Sequence, residues 1–306
     1  SAVFRRIQTY QSTKNVTKSE KTNDYLSYSS PCADIVLLSD DGVRFRVHSA
    51  VLAPASNFFR DMFGMPRPAA DNSDEALPMG ESSQIIKTIL DIIYPHDVYP
   101  MLPSATFAFV RRLLSAAERF DFMRVTHHVR LLTKMEPFAS RPLEVYALAC
   151  IYGWAEEAHT LSLQTLNLDL SSRDYVDILK SIDSASLYNL FQLRWRRKQH
   201  ILQVAQMLAD HDIERIWTCL CRSIDETIHE MWDYLRLIIR EEMDKFPDGS
   251  GLRCPEFWRQ DGLRGLWDSK CPACGGLSVD ENEVKAAIID ELDEVIRGDA
   301  KWKNMK

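Results

Sequence analysis

The stretch VRFRVHSAVLAPASNFFRDMF, Val43–Phe63, decides how the first part of the chain folds. Val43, Phe45 and Val47 alternate with polar residues, and this period of two predicts a strand that buries one face. After His48 the apolar residues follow a helical period, which predicts two short helices. A polar side chain at the end of a buried strand must find hydrogen-bond partners among its neighbours. We therefore predict that His48 is a structural residue rather than a catalyst.

The neighbouring segments extend this pattern in both directions. Before it, ADIVLLSDDG combines an apolar strand, Ala33–Leu38, with an Asp-Asp-Gly turn, and together they predict a β-hairpin. After it, a loop without period leads to SSQIIKTILDIIY, whose isoleucines define one apolar helical face. A further helix contains LLSAAERFDF, and another ends before Pro137.

This order of elements resembles the BTB/POZ domain family over about residues 32–133. The residues that carry the resemblance, and that we assign to the domain core, are Asp34, His48, Leu52, Ser56, Phe59, Met62 and Phe63. The run Ala-Ala-Glu-Arg-Phe-Asp, Ala116–Asp121, is similar to the penultimate helix of that family. The resemblance implies that His48 is a buried, hydrogen-bonded core group.

The resemblance and the periodicity together predict the domain organisation. We predict a flexible N-terminal arm at residues 1–31, where Ser, Thr, Lys and Asn dominate with little apolar period. An α+β BTB/POZ domain, a small sheet with helices, is predicted at residues 32–134. An all-α region with a possible zinc knuckle is predicted at residues 138–306, with a cysteine-rich segment at residues 219–274. The start of this region, PLEVYALACIYGW, resembles the helical regions that follow BTB domains in fungal proteins.

The composition limits the classes of function. The formal net charge of −7 at pH 7 disfavours nucleic-acid binding by the chain as a whole. No run of about 18 apolar residues is present, which predicts no membrane span, and the first residues lack the apolar segment of a secretory signal. Seven cysteines, an odd number, are not typical of a secreted disulfide framework. We therefore predict an intracellular protein, cytoplasmic or nuclear.

Sequence motifs for catalysis are absent, and we predict no enzymatic activity. The sequence contains no phosphate-binding loop, dinucleotide fingerprint, metalloprotease helix or nucleophile elbow. The most basic stretch, RWRRKQH at Arg194–His200, combines arginines with Trp195 and could bind phosphate and stack a base. We favour the alternative, a helix whose apolar residues face the core and whose arginines face water.

Two short cysteine pairs lie about fifty residues apart in the last third of the chain, Cys219-x-Cys221 and Cys271-x-x-Cys274. The sequence CPACGG around the second pair has the form of a zinc knuckle, because its glycines let main-chain amides turn toward thiolates. We predict that these four cysteines hold a structural zinc ion.

Other interpretations of the cysteines stay open. Cys254 or His229 could replace one of the four ligands. The thiols could instead be reduced and metal-free, or Cys271 and Cys274 could form a redox dithiol.

The resemblance implies a function in protein–protein interaction. Because BTB/POZ domains commonly dimerise and serve as adaptors for cullin-type ubiquitin ligases, we predict a homodimer that acts as an adaptor or scaffold. Family members that bind cullins usually carry a hydrophobic-x-Glu motif after the second short helix, whereas this chain reads Met65-Pro66-Arg67. The arginine weakens the prediction of a cullin partner. The alternative is a transcriptional or chromatin-associated regulator whose C-terminal region contacts nucleic acid.

Overall fold

The computed structural model describes residues 23–65, 76–95, 100–102, 106–210, 216–218 and 226–301. The chain divides into two compact units, Ser1–Pro137 and Phe138–Lys306. The first unit is α+β and the second is helical, as predicted.

The first unit contains a four-stranded sheet with the strand order β1-β3-β2-β4. Strands β2 and β3 form the predicted antiparallel hairpin, while β1 is parallel to β3 and β4 is parallel to β2. Gly42 in the hairpin turn has a φ of 79°, a left-handed conformation that glycine adopts without strain. The strands are β1 (Asn23–Ser29), β2 (Ile35–Leu38), β3 (Val43–Val47) and β4 (Leu77–Pro78).

Strand β1 corrects the predicted boundary of the N-terminal arm, because it lies within residues 1–31. Tyr28 is buried, and its hydroxyl donates to Asp91 at 2.8 Å. Tyr25 stacks on Phe45 with the ring centroids 5.1 Å apart. These two aromatic rings attach a segment of otherwise polar composition to the sheet. The remainder of the predicted arm, residues 1–22, lies outside the described residues.

Five helices follow in the described part of the first unit. Helix α3 has the predicted isoleucine face, and Ile85, Ile86 and Ile89 on it are each at most 2% exposed. Buried side chains of β2 and β3, including Leu37 and Phe45, complete the core. The helices are α1 (Ser49–Ala55), α2 (Asn57–Gly64), α3 (Ser83–Ile93), α4 (Phe107–Arg119) and α5 (Met123–Leu132).

The second unit is helical, and its part from residue 201 onward packs around an apolar cluster, to which the fully buried indole of Trp232 belongs. The helices are α6 (Pro142–Ile151), α7 (Ala155–Gln164), α8 (Val176–Ser181), α9 (Ser184–Ala209), α10 (Glu226–Lys245), α11 (Ser250–Arg253), α12 (Pro255–Trp258), α13 (Asp261–Trp267) and α14 (Glu281–Lys301). Within the described ranges, none of the helices combines the length and the apolar character that crossing a membrane demands.

Helix α9 turns part of its basic stretch inward, which corrects the prediction that its arginines face water. Arg194 is 5% exposed, and its guanidinium donates to the carbonyl oxygens of Thr165, Leu168 and Lys245 at 3.1, 2.9 and 2.8 Å. These carbonyls lie at or near the C-terminal ends of helices, where no main-chain N–H group of the same helix is left to bind them. Burial lowers the pKa of Arg194 to about 10, so the side chain is charged at neutral pH. Arg197 is also buried.

Candidate functional site

The junction between β3 and α1 holds the histidine that the sequence singled out. The main-chain N–H of His48 donates to the Tyr94 hydroxyl at 2.9 Å, and the ring Nδ1 of His48 lies 3.1 Å from the same oxygen. The His48 ring is partly buried rather than fully buried. Both contacts reach the phenol of Tyr94 in the same unit, so His48 joins β3 to the end of α3.

Asp34 and Ser49 form a second link at this junction. The Asp34 carboxylate accepts hydrogen bonds from the Ser49 main-chain N–H at 2.8 Å and from the Ser49 hydroxyl. Desolvation acts to raise the pKa of Asp34, but the two hydrogen bonds from Ser49 outweigh it and hold the pKa below its ordinary value. The carboxylate therefore stabilises the start of α1 in its charged form.

Ser56 and the aromatic residues around it form the packed centre between α2 and the end of α4. The Ser56 hydroxyl caps α2 by accepting from the Phe59 N–H at 3.1 Å, and it donates to the Phe120 carbonyl at 2.6 Å. Leu52 and Phe59 are at most 1% exposed. Phe59 stacks on Phe120 with centroids 6.0 Å apart. Met62 and Phe63, the other predicted core residues, are partly buried.

A buried carboxylate that sequence reasoning missed joins the sheet to α4. The Glu81 side chain is 5% exposed and accepts from Arg112 Nε at 2.8 Å and from an Arg119 Nη at 2.6 Å. Its hydrogen bond to Arg112 raises the pKa of that guanidinium above its ordinary value. Arg112 and Arg119 are seven residues apart and so share a helix face, but nothing in the sequence names Glu81 as their partner.

Among the described residues of the first unit, the large apolar side chain with the highest exposure lies on β1. Leu26 on this strand is 92% exposed. In the order β1-β3-β2-β4, strand β1 stands at the edge, with β3 as its single neighbour among the described strands. An edge strand offers main-chain hydrogen-bonding groups to another chain.

Residues 269–278, which we call the cysteine hairpin, carry the second of the predicted cysteine pairs. The Cys271 N–H donates to the Gly276 carbonyl at 2.8 Å, and the Gly275 N–H donates back to the Cys271 carbonyl at 2.8 Å. Gly275 has a φ of 70°, a conformation that favours glycine. Cys271 is buried and Cys274 is exposed. The CPACGG sequence thus forms a tight turn.

A short extended segment, residues 216–218, pairs with the cysteine hairpin. The Thr218 N–H donates to the Ser278 carbonyl at 3.2 Å, and the Thr218 hydroxyl donates to the Leu277 carbonyl. Thr218 directly precedes Cys219 in the sequence. The residue before the first cysteine pair is therefore hydrogen-bonded to the hairpin that carries the second.

The complete predicted zinc site is not described, because Cys219 and Cys221 lie outside the described residues. Within those ranges, no group of three or more His, Cys, Asp or Glu side chains is arranged to hold a metal ion. Cys254 and His229, the alternative ligands, are both exposed. The zinc site stays a prediction.

Comparison with known proteins gives one family and one relative. Residues 23–134 match the family model of the BTB/POZ domain, which begins where β1 begins. The chain is 25% identical over 160 residues to "Inhibitor of Bruton tyrosine kinase" from Xenopus laevis, and this match covers 50% of the chain but 12% of that protein. No solved structure matches the chain. Residues 23–134 therefore form a BTB/POZ domain, which is a protein–protein interaction module.

Proposed function

We propose that the chain is a homodimeric adaptor or scaffold that dimerises through its BTB/POZ domain. The observation that supports dimerisation is the outer edge of β1, since an edge strand offers its main-chain groups to a second chain, and Leu26 exposes a large apolar side chain on it. The resemblance points the same way, because BTB domains commonly bury an apolar face against a second copy.

Sedimentation equilibrium of the full chain at micromolar concentration tests dimerisation. We expect a species of twice the chain mass, and we expect Leu26→Asp to shift it toward monomer, because a carboxylate on the edge would be desolvated in the interface. Leu237→Asp is the matched control, since Leu237 is also exposed but lies on α10 in the second unit. A strict monomer across the range, or equal effects of the two variants, would contradict the proposal.

The family resemblance also suggests a role in ubiquitin ligation, but the sequence supports that role only weakly. A cullin-type scaffold is the partner that the family resemblance suggests, but Arg67 stands where a glutamate is expected, and it lies outside the described residues. We expect weak or no cullin binding by calorimetry. Arg67→Glu should increase the affinity for the cullin scaffold, because it restores the expected glutamate. Submicromolar binding of the scaffold by the unaltered chain would refute the inference that Arg67 weakens cullin binding.

A nucleic-acid regulator is the second candidate function, and one surface favours it. Trp195 is 47% exposed on α9 and contacts Tyr188 and Phe191 with ring centroids 6.2 and 5.9 Å away, and the neighbouring Arg196 is also exposed. Exposed aromatic rings beside a cation can stack bases. Against this candidate, Arg194 and Arg197 of the same stretch are buried. Retention on heparin at physiological salt, lost in Arg196→Gln, would support it over the adaptor.

We also propose that Cys219, Cys221, Cys271 and Cys274 hold one structural zinc ion. The support is the tight turn at Gly275 and the hydrogen bond of Thr218, the residue before Cys219, to the cysteine hairpin. Thiolates are the ligands that structural zinc prefers.

Elemental analysis of protein purified without added metal tests the zinc proposal. We expect about one zinc per chain, lost in Cys271→Ser and kept in Cys32→Ser, a control in the other unit. Metal-free protein with an ordered cysteine hairpin would refute the site. Zinc that survives Cys219→Ser but not Cys254→Ser would show that the site exists with a different ligand set.

A further inference from the structure

Helix α9 has two rows of residues with the same spacing on opposite sides. The inner row recurs at alternating steps of four and three residues and contacts the rest of the second unit. Its members are all at most 8% exposed: Leu190, Arg194, Arg197, Ile201, Val204 and Leu208. This row accounts for the packing of α9 within its own unit.

The second row, which we call the outer seam, is displaced from the inner row by two residues, which is about 200° around the helix. Its members are Ala185, Tyr188, Gln192, Trp195, Gln199, Leu202 and Gln206. None of the seven is charged, whereas 26% of the chain consists of Asp, Glu, Lys and Arg. Alternating steps of three and four residues are the spacing with which one helix packs along another.

The centre of the outer seam is open to solvent. Tyr188 is 55% exposed and Trp195 is 47% exposed. Within the described ranges, the rings of these two residues contact only aromatic rings of α9 itself: each other, with centroids 6.2 Å apart, and Phe191, whose centroid is 5.9 Å from that of Trp195. A helix with large apolar side chains on both sides is typically covered on both.

The neighbouring helices bind α9 at its flanks and not at the outer seam. Lys198 forms an ion pair with Asp244 of α10, and His200 Nε2 lies 3.0 Å from a carboxylate oxygen of Glu291 on α14. At about 100° per residue, Lys198 and His200 lie on either side of the seam, about 80° and 120° away from Tyr188. The seam between them is left for a partner outside the unit.

The outer seam is complementary to itself when two copies of α9 run antiparallel, with a two-fold axis between residues 193 and 194. The opposed pairs are then Ala185 with Leu202, Tyr188 with Gln199, and Trp195 with Gln192. Each pair joins a larger and a smaller side chain, so the two surfaces interlock. Beside the seam, Arg196 faces Phe191 of the second copy, a favourable contact of a cation with a ring, and Lys198 faces Asn189. No like charges meet in this register.

We propose that the outer seam binds the outer seam of a second copy of this chain in this antiparallel register, with Trp195 against Gln192 at the centre. Burial of the exposed halves of four aromatic rings removes about 400 Å² from water. An interface this small is weak, with a dissociation constant on the order of 10–100 μM. A nucleic acid fits the seam less well, because its phosphates need several cations and the seam has none.

This interface is separate from the edge of β1 and does not depend on the proposed BTB/POZ dimer. A chain with two isologous interfaces assembles beyond the dimer as its concentration rises. The weaker interface on α9 would therefore link dimers that the first unit has already formed.

Sedimentation velocity of the full chain at increasing concentration tests the proposal. We expect the average mass to rise about twofold between about 1 and 100 μM. Trp195→Glu should stop this rise, because the interface would desolvate its carboxylate. Leu237→Glu is the matched control, since Leu237 is also 47% exposed but lies on α10, and it should leave the rise unchanged.

The Leu26→Asp background separates this interface from the one at β1. If β1 forms the first dimer, Leu26→Asp should be monomeric at low concentration and pair through α9 at high concentration. Adding Trp195→Glu should then leave a monomer throughout. If β1 forms no dimer, the rise that depends on Trp195 is still expected, so that failure of either interface is seen by itself.

Charged pairs at the centre of the seam test the register. Trp195→Lys alone should abolish the rise in mass. Adding Gln192→Glu should restore it, because each lysine then faces a glutamate of the second copy, and added salt should weaken the restored pairing. Gln192→Glu with Trp195→Glu should not restore it. Circular dichroism confirms that each variant keeps its helices.

Every other outcome overturns the proposal. An average mass that does not rise in the unaltered chain, or a rise that Trp195→Glu leaves unchanged, would exclude pairing through the seam. Equal losses in Trp195→Glu and Leu237→Glu would indicate nonspecific association, and equal restoration by both double variants would exclude the antiparallel register. Retention on heparin that depends on Trp195, without self-association, would assign the seam to nucleic acid.

Discussion

Substitution of Ser56 by alanine is the sharpest test of how the BTB/POZ core is held together. The hydroxyl has two partners, the Phe59 N–H at 3.1 Å and the Phe120 carbonyl at 2.6 Å, and Ser56 is 2% exposed. Loss of a helix N-cap costs about 1 kcal/mol. A buried carbonyl left without its donor costs a further 1–3 kcal/mol or so. We therefore expect Ser56→Ala to lower the local free energy of unfolding by about 3 kcal/mol.

Thr106→Ala separates the two contributions. Thr106 caps α4 by accepting from the Phe109 N–H at 3.2 Å, but Thr106 is exposed, whereas Ser56 is buried. Its loss should therefore cost about 1 kcal/mol, the value of the cap alone. The difference between the two variants measures the buried hydrogen bond to Phe120.

The assay must report on the first unit by itself, because two units need not unfold together. All seven tryptophans lie at or beyond Trp154, so their fluorescence reports the second unit. Hydrogen exchange of peptides from α2 and α4 at increasing denaturant gives the local free energy instead. Equal losses of about 1 kcal/mol in both variants would refute the reasoning, because the Phe120 carbonyl would then have found another donor.

Three further predictions follow from other polar contacts. Arg194→Met should lower the free energy of unfolding of the second unit by about 3 kcal/mol, because the carbonyls of Thr165, Leu168 and Lys245 lose a charged donor. Tryptophan fluorescence at increasing denaturant measures this loss of stability. The pKa of Asp34 is lowered in the folded protein. The stability that Asp34 contributes is therefore present above its ordinary pKa of 3.8 and is lost as the pH falls through the lower folded value. Asp34→Asn should reduce the dependence of the free energy of unfolding on acid pH, which circular dichroism measures. His48→Ala should cost about 1 kcal/mol, because Tyr94 keeps the main-chain partner, and hydrogen exchange of β3 and α1 measures the loss.

Local pattern was enough to predict the elements whose signals lie within a few residues. The hairpin at Gly42 and the isoleucine face of α3 follow from turn chemistry and apolar period. The start of α14 is local in the same sense, because the Asp280 carboxylate accepts from the Asn282 and Glu283 N–H groups at 2.8 and 3.2 Å.

Contacts between distant parts of the sequence could not be predicted in this way. Ser83 is the first residue of α3, and its N–H donates to Asp41, which is 42 residues away in the sequence. The buried ends of Arg194 and Glu81 were missed for the same reason, because a charged side chain is buried only where the fold supplies partners. Strand β1 was assigned to the arm because its composition is polar, and only the contact of Tyr28 with Asp91 shows why it is ordered.

The cysteine hairpin depends on a local turn and also on contacts with distant residues. The distant contacts determine how much structure should be lost when metal is removed. The pairing of residues 216–218 with the hairpin is flanked by Ile216 and Val279, which are 0% and 2% exposed and belong to the apolar cluster of the second unit. Burying two such side chains stabilises the pairing by about 3 kcal/mol or more without any metal. Loss of metal should therefore have a local effect rather than loosen the whole C-terminal third of the chain.

We expect removal of metal by a chelator, or Cys271→Ser, to speed hydrogen exchange in the turn at Gly275 while α10 and α14 keep their protection. The turn depends on local hydrogen bonds between Cys271 and the two glycines, whereas the helices depend on the apolar cluster around Trp232. Hydrogen exchange of the corresponding peptides, compared with Cys32→Ser, measures both regions in one experiment. Loss of protection throughout α10 would show that the metal, rather than the apolar cluster, holds the second unit together.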